Sequence, residues 1–388
     1  MPETEPLDTA FGSFDLKRFP IRRRETLRAW DAADEYLLNQ LAEEGVAEGA
    51  RVLILNDNFG ALTVSLAKLS PQMRTDSYIA SWSTGENLER NGIAGGSVDI
   101  GDTLVPYQGV YDLVLVRVTK TLALLEDELL RLKPHLHEGS RVMGCGMVKQ
   151  IHSSTLKLFE TIIGPTRTSL ARKKARLIFS RPDMGIQLKP SPYPHCYPLE
   201  NSSYTLCNHA NLFSRERLDI GTRLLLQHIP RSEAYRDIVD LGCGNGVVGL
   251  LAAKANPGAR LWFTDESFMA VASAEQNYRA AGLDNEAEFR VTDCLVGFDS
   301  QSADLVLCNP PFHQQQVVGD FIAWRMFSQA YEVLRAGGEL HVIGNRHLGY
   351  HVKMKRLFGN VQTMASNPKF VVLKSVKKGL DSSSGSKS

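Results

Sequence analysis

Asn309-Pro310-Pro311-Phe312 ends the apolar run Asp304-Leu305-Val306-Leu307-Cys308, and His313-Gln314-Gln315 follow. Two consecutive prolines hold the backbone extended and remove two N–H donors, which leaves carbonyls to act as acceptors. The Asn309 side-chain oxygen and the Pro310 carbonyl could together accept both N–H bonds of a planar exocyclic amine. Such an amine has its lone pair delocalised into a ring. Holding both N–H groups turns the lone pair toward an incoming electrophile and stabilises the charge that builds on nitrogen. Phe312 offers a face on which the ring stacks. No strong base is needed, because the amine loses its proton readily once alkylated. Taken alone, Asn-Pro-Pro-Phe is also compatible with a proline-terminated strand and a packed Phe.

A second constellation lies upstream. Val239-Asp240-Leu241-Gly242-Cys243-Gly244-Asn245-Gly246 sits where an apolar run gives way to a helical stretch, Val247 to Lys254. Glycines suit such a turn because the backbone must bend tightly and approach a ligand without Cβ atoms in the way. Acids close the next two strand-like runs: Asp265, followed by Glu266, placed to accept ribose hydroxyls, and Asp293, placed near an adenine edge. An ordinary Gly-rich turn with surface acids is the plain alternative. A dinucleotide loop would read G-x-G-x-x-G. Here the third glycine comes one residue early, and Asp240 would repel phosphate while attracting an ammonium group. The pattern resembles motif I of the Rossmann-like S-adenosylmethionine (SAM) methyltransferases. That resemblance makes Asp240, Gly242, Cys243, Gly244, Asn245, Gly246, Asp265, Glu266, Asp293, Asn309 and Thr222 the expected cofactor-binding residues. Cys243 fills a position where the family varies.

The elements that must carry these residues occur twice, nearly 190 residues apart. Arg51–Leu55 enters Asn56-Asp57-Asn58-Phe59-Gly60 as Asp237–Leu241 enters the glycine loop, and Asp112–Val116 matches Asp304–Cys308. After each comes a Leu-rich helix, a Gly-containing turn and another strand. Strands alternating with helices of this length indicate βαβ units and a parallel sheet covered on both faces. Two α/β domains follow: residues 1–190, a linker over 191–210 introduced by Pro190, Pro192 and Pro194, and residues 211–378. A Ser/Gly/Lys-rich tail, 379–388, is expected to be disordered. Asn367-Pro368 lacks a second proline and reads as a hairpin turn.

The first copy lacks the chemistry. Ile54 stands at the place of Asp240, Asn56 at Gly242 and Asn58 at Gly244. Arg117-Val118-Thr119-Lys120 replaces the tetrapeptide, so this copy is expected to bind no cofactor. Arg117 and Lys120 suit either a phosphate contact or a solvated surface. The chain's charge is also lopsided. Its 388 residues carry 44 Lys+Arg against 43 Asp+Glu, a balance that by itself argues against nucleic acid. Yet Leu16–Trp30 carries a net +5 and Ile151–Pro190 a net +6, leaving −10 for the rest. Both runs belong to the first copy, and Arg22, Arg23, Arg24, Arg172, Lys173, Lys174 and Arg176 are its expected RNA-binding residues. The start Met-Pro-Glu-Thr-Glu-Pro has neither basic residues nor an apolar run behind it, so a cytoplasmic protein is expected. The six cysteines form no C-x-x-C pair, so free thiols are expected, with no disulfide and no bound metal.

A degenerate methyltransferase-like copy followed by an intact one with Asn-Pro-Pro-Phe-His resembles the bacterial rRNA guanine-N2 methyltransferases of the RsmC/RlmG family. Leu212-Phe213-Ser214, Asp219-Ile220-Gly221-Thr222 and Leu224-Leu225 extend the likeness over nearly the whole chain. Length and N-terminal region look more like the large-subunit type than the 16S type. The resemblance implies an α/β fold of two tandem Rossmann-like domains with mixed seven-stranded sheets, the first degenerate. It implies SAM-dependent methylation of a guanine N2 in 23S rRNA, with Asn309, Pro310, Pro311 and Phe312 catalytic and Asp219–Thr222 closing one side of the cofactor pocket; the oligomeric state is not read from the sequence, a monomer being favoured. The alternatives are 16S rRNA, a DNA adenine or a protein Gln as acceptor, and a non-catalytic RNA-binding assembly factor.

Overall fold

The computed structural model describes residues 5–21, 25–311 and 316–379. The chain divides into two units, Met1–Tyr193 and Pro194–Ser388. In the first, the hairpin β1 (Leu7–Thr9) and β2 (Gly12–Phe14) precedes seven strands: β3 (Val52–Leu55), β4 (Gln72–Thr75), β5 (Asp99–Asp102), β6 (Leu113–Arg117), β7 (Arg141–Met147), β8 (Thr166–Thr168) and β9 (Ala175–Ser180). They form one sheet in the order β5-β4-β3-β6-β7-β9-β8. All neighbours are parallel except β9, which runs antiparallel to β7 and β8.

The second unit repeats this plan. The hairpin β10 (His195–Pro198) and β11 (Thr205–Asn208) precedes β12 (Asp237–Leu241), β13 (Arg260–Asp265), β14 (Ala287–Val291), β15 (Ala303–Cys308), β16 (Leu334–Asn345), β17 (Gln362–Ser366) and β18 (Phe370–Val376). The sheet order is β14-β13-β12-β15-β16-β18-β17, again with only β18 antiparallel to its neighbours. The expected pair of mixed seven-stranded sheets is therefore present, and Asn367-Pro368 does turn the last hairpin.

Burial on both faces explains why the central strands are apolar throughout. Side chains alternate across each strand. Leu305 and Leu307 pack with Leu225, Val247, Val248 and Ala274 on one face, while Val306 and Cys308 pack with Ala323, Met326, Phe327 and Met354 on the other. The next residue in the alternation is Asn309, which leaves the core on the Leu225 side. Strand order reverses between β12 and β15, so their C-terminal ends flank the crevice where open α/β sheets bind ligands.

Two expectations need correction. Most of the stretch expected as a linker is the β10–β11 hairpin, and it belongs to the repeat. Asn277 Oδ1 accepts from the Cys207 backbone at 2.7 Å, while its Nδ2 donates to the Cys207 carbonyl at 3.1 Å and the Asn245 carbonyl at 2.9 Å. Asn87 does the same in the first unit, holding both backbone groups of Lys17 and donating to the Phe59 carbonyl at 2.8 Å. One asparagine in each unit thus ties the hairpin, or the chain just after it, to the βα loop. Nor are all the cysteines free. The antiparallel register sets Cys196 opposite Cys207, and the two form a disulfide, whereas Cys145, Cys243, Cys294 and Cys308 are free. Pairing across a hairpin needs the strand register, which the spacing of the two cysteines does not reveal. Residues 380–388 of the expected tail lie outside the described residues. Among the described residues, no helix is long and apolar enough to cross a membrane.

Candidate active site

The glycine loop runs from the end of β12 into the helix Val247–Ala255. Gly242, Gly244 and Gly246 all have φ between 52° and 78°, a region that side chains disfavour. A Cβ on Gly246 would lie 2.9 Å from the Ala274 Cα, so this residue lets two helices approach. A Cβ on Gly244 would meet nothing within 4 Å, which marks the side of the loop open to a ligand. Cys243 is buried. The Asn245 side chain caps locally, accepting from the Val247 N–H at 3.3 Å and donating to the Tyr197 hydroxyl at 3.4 Å.

Two carboxylates line this loop. Asp240 is buried and accepts from the Gly249 N–H at 2.7 Å. Asp265 accepts from the Gly244 N–H and the Ser267 N–H, both at 3.0 Å. Among the described residues no cationic side chain pairs with either acid. Burial, with Asp265 nearby, pushes the Asp240 carboxyl up to about 8 in spite of the Gly249 bond. Burial raises Asp265 as well. Two acids held this way fit a cationic ligand, whose charge favours their ionised forms. Glu266 follows Asp265 and is half-buried.

Asp293 differs. Its carboxylate is in an ion pair with Arg325 on the helix Gln316–Val333, and the Cys294 thiol lies 3.4 Å from its other oxygen. Any contact with an adenine edge would share that carboxylate with a guanidinium. Sequence reasoning missed Arg325, because nothing in the helix pattern shows which side chain turns back toward β14.

Asn309 donates from Nδ2 to the Thr222 hydroxyl at 2.9 Å. Its Oδ1 is buried and has no donor among the described residues. Pro310 is buried and Pro311 exposed, while Phe312 lies outside the described residues. Thr222, expected at the cofactor, therefore touches the tetrapeptide directly. Asp219, which caps the helix Ile220–Leu226, lies behind it. Asp219 was expected only as part of the stretch closing the cofactor pocket, with no role of its own, although an Asp opening a helix is a visible N-cap signal.

The same stations in the first unit are closed. Asn56, where the second unit has Gly242, donates to the buried Glu128 at 2.7 Å and fills the loop. The acid expected to be missing is supplied from three residues further along. Asp57 accepts from both the backbone and the hydroxyl of Thr63, each at 2.8 Å, just as Asp240 accepts from Gly249. Arg117 is neither solvated nor placed for phosphate. It is buried, with Asp31 at 2.9 Å and Asp34 at 3.0 Å. Burying a guanidinium requires such partners, and these come from the N-terminal cap and first turn of a helix, Ala32–Glu44, far away in sequence.

Of the expected RNA-binding residues, Arg172, Lys173 and Lys174 share the exposed turn between β8 and β9. The Arg172 guanidinium lies 4.9 Å over the Tyr36 ring, and Lys173 reaches Glu35 at 3.1 Å. Lys173 and Lys174 both have left-handed backbone, φ 46° and 62°, which makes the turn tight. Arg176, in β9, is half-buried. Arg22, Arg23 and Arg24 lie outside the described residues.

A family model described as the RLMG N-terminal domain matches residues 4–184, and one described as the methyltransferase small domain matches residues 203–374. The ribosomal RNA large subunit methyltransferase G of Streptomyces coelicolor is 54% identical over 376 residues, covering 96% of this chain and 100% of that protein. Its Pseudomonas aeruginosa counterpart is 53% identical over 370 residues, covering 95% and 99%. A solved structure, the T. thermophilus 16S rRNA N2 methyltransferase (RsmC) in complex with AdoMet and guanosine, superposes with a TM-score of 0.73 at 19% identity. That match covers 96% of this chain and 97% of the other, and it is a likeness of fold. With half its residues shared along almost the full length of these relatives, closed first copy included, the chain belongs to the ribosomal RNA large subunit methyltransferase G family.

Proposed function

We propose that this enzyme transfers a methyl group from SAM to the exocyclic N2 amine of one guanine in 23S rRNA, working in the cytoplasm. The observation that carries the proposal is Asn309 Oδ1, a buried acceptor that has no donor among the described residues, at the C-terminal end of β15. A buried acceptor without a donor is costly. The N–H of an amine presented by a base would remove that cost, with the Pro310 carbonyl accepting the second N–H. SAM supplies an electrophilic methyl group on a sulfonium. The chain's part is to hold the amine in line with it, while Asp240 and Asp265 hold the cationic and ribose parts of the cofactor. The Gly244 N–H is already taken by Asp265, and with Asp240 close by, the loop suits a ligand without phosphate. The aromatic residue type of Phe312 suits a stacked base, and a guanine inside a helix must leave its stack to reach this site. The first unit, with its own loop filled by Asn56 and Glu128, serves to bind RNA through the Arg172–Lys174 turn.

The test is incubation with methyl-labelled SAM and 23S rRNA, followed by nucleoside digestion and mass analysis. Label in N2-methylguanosine, reduced at least about 100-fold by Asn309→Ala, is the expected result. Label in another nucleoside, or an unchanged rate in that variant, would overturn it.

A further inference from the structure

The Asn309 amide has two ends of nearly equal shape and opposite polarity. Methyl transfer to an amine needs the oxygen end toward the substrate, because an NH2 group there would face the N–H groups of the amine donor to donor. Something must therefore decide which way the amide is turned.

The hydrogen bonds around Thr222 decide it. Asp219 Oδ2 accepts from the Thr222 N–H at 2.9 Å and from the Thr222 hydroxyl at 3.3 Å. A carboxylate only accepts, and a hydroxyl has a single proton to donate. With that proton committed to Asp219, the Thr222 oxygen can only accept from its other neighbour. That neighbour is Asn309, at 2.9 Å, so its NH2 end must point to Thr222 and its oxygen away. The freed Oδ1 is the buried acceptor on which the proposed reaction rests. We infer that Asp219 and Thr222 are positioning residues, a two-step relay that holds the Asn309 amide oxygen toward the acceptor amine.

The first unit provides an internal comparison. Asp31 caps the helix Ala32–Glu44 as Asp219 caps Ile220–Leu226, and Asp34 stands three residues beyond its cap as Thr222 does. Arg117 ends β6 where Asn309 follows β15. In the copy without chemistry, the three stations hold acid, acid and cation, with both acids paired to the cation. In the other copy they hold acid, hydroxyl and amide, an order that fixes polarity and leaves one acceptor over.

The inference rests on the proposed amine methylation, and the experiment separates the two. Full-length protein with Thr222→Val, Thr222→Ser, Asp219→Asn and Asn309→Ala is assayed for kcat, KM for rRNA and Kd for SAM. Val keeps the shape of Thr without its hydroxyl, and Thr222→Val should lower kcat about 10- to 100-fold with KM and Kd within about twofold. Thr222→Ser, which restores the hydroxyl, should return kcat to within about threefold of the parent. Asp219→Asn keeps a good helix cap but can donate to Thr222, which frees the relay to invert, so kcat should fall with no loss of thermal stability. The inference fails if Thr222→Val retains the parent kcat. It fails equally if the defect is a weakened SAM Kd that saturating SAM repairs, since Thr222 would then be a cofactor ligand. Should Thr222→Val unfold, Asp219→Asn decides in the same way. An unaffected Asn309→Ala overturns the underlying reaction, whereas an inactive Asn309→Ala beside a fully active Thr222→Val overturns only the relay.

Discussion

The two acids beneath the glycine loop make cofactor binding a proton-linked event. Without ligand, Asp240 titrates near 8, so about nine-tenths of it is protonated at pH 7. Binding a cation beside it requires the carboxylate, and each SAM bound at pH 7 should release close to one proton. Affinity should therefore rise with pH. Between pH 6 and pH 7.5 the ionised fraction grows about 20-fold, equivalent to about 2 kcal/mol of binding free energy. Calorimetric titration with SAM, in two buffers of different ionisation enthalpy, reads proton release directly. Asp240→Asn, which cannot ionise, should bind more weakly and lose most of this pH dependence. Stability of the free protein runs the opposite way. A carboxyl raised from 3.8 to about 8 on folding contributes stability that is complete below pH 4 and is lost as pH rises through 8. The ligand-free unfolding temperature should accordingly fall across that window, and SAM should restore it most at the alkaline end. An affinity flat from pH 6 to 7.5, with no proton released, would refute this reasoning.

Two further outcomes test the first unit. Replacing Arg117 with Met strands Asp31 and Asp34 without their cation, and chemical denaturation should show a loss of about 3–5 kcal/mol, with SAM affinity unchanged; a loss below 1 kcal/mol would show that the buried triad contributes little. Changing Arg172, Lys173 and Lys174 together to Ala should weaken rRNA binding and lower the slope of log affinity against log salt by about 2, again with SAM affinity unchanged, as read by filter binding or anisotropy across a salt series. A slope equal to the parent's would move the RNA contacts elsewhere.

The chemistry-bearing loops were legible because they are local. Gly242–Gly246 and Asn309–Pro311 are short runs whose residue types answer directly to a required backbone shape, and the duplication announced the alternating strands and helices around them. What escaped depends on distance in sequence. Asp219 and Thr222 lie almost ninety residues before Asn309, and Arg117 finds its acids about as far upstream, so no window of sequence joins them. Asp57 escaped for a different reason. It takes over from an acid three positions earlier, and an alignment column by column records only a loss at Ile54. The β10–β11 hairpin was hidden by the prolines before it, which suit an extended connector as well as the approach to an edge strand.

The buried triad of the first unit also bears on how reversible its degeneracy is. Returning Arg117 to Asn alone would leave two acids without a counter-charge. Replacing Asp34 by Thr alone would leave Arg117 with Asp31 as its single counter-charge. Emptying the loop needs Asn56 and Glu128 to change together as well. Losing the buried cation first therefore costs stability before it restores any function, so paired charges hold this copy away from catalysis. On the proposed division of labour, the surface of the first unit can then vary around a core that will not slip back into competing for cofactor.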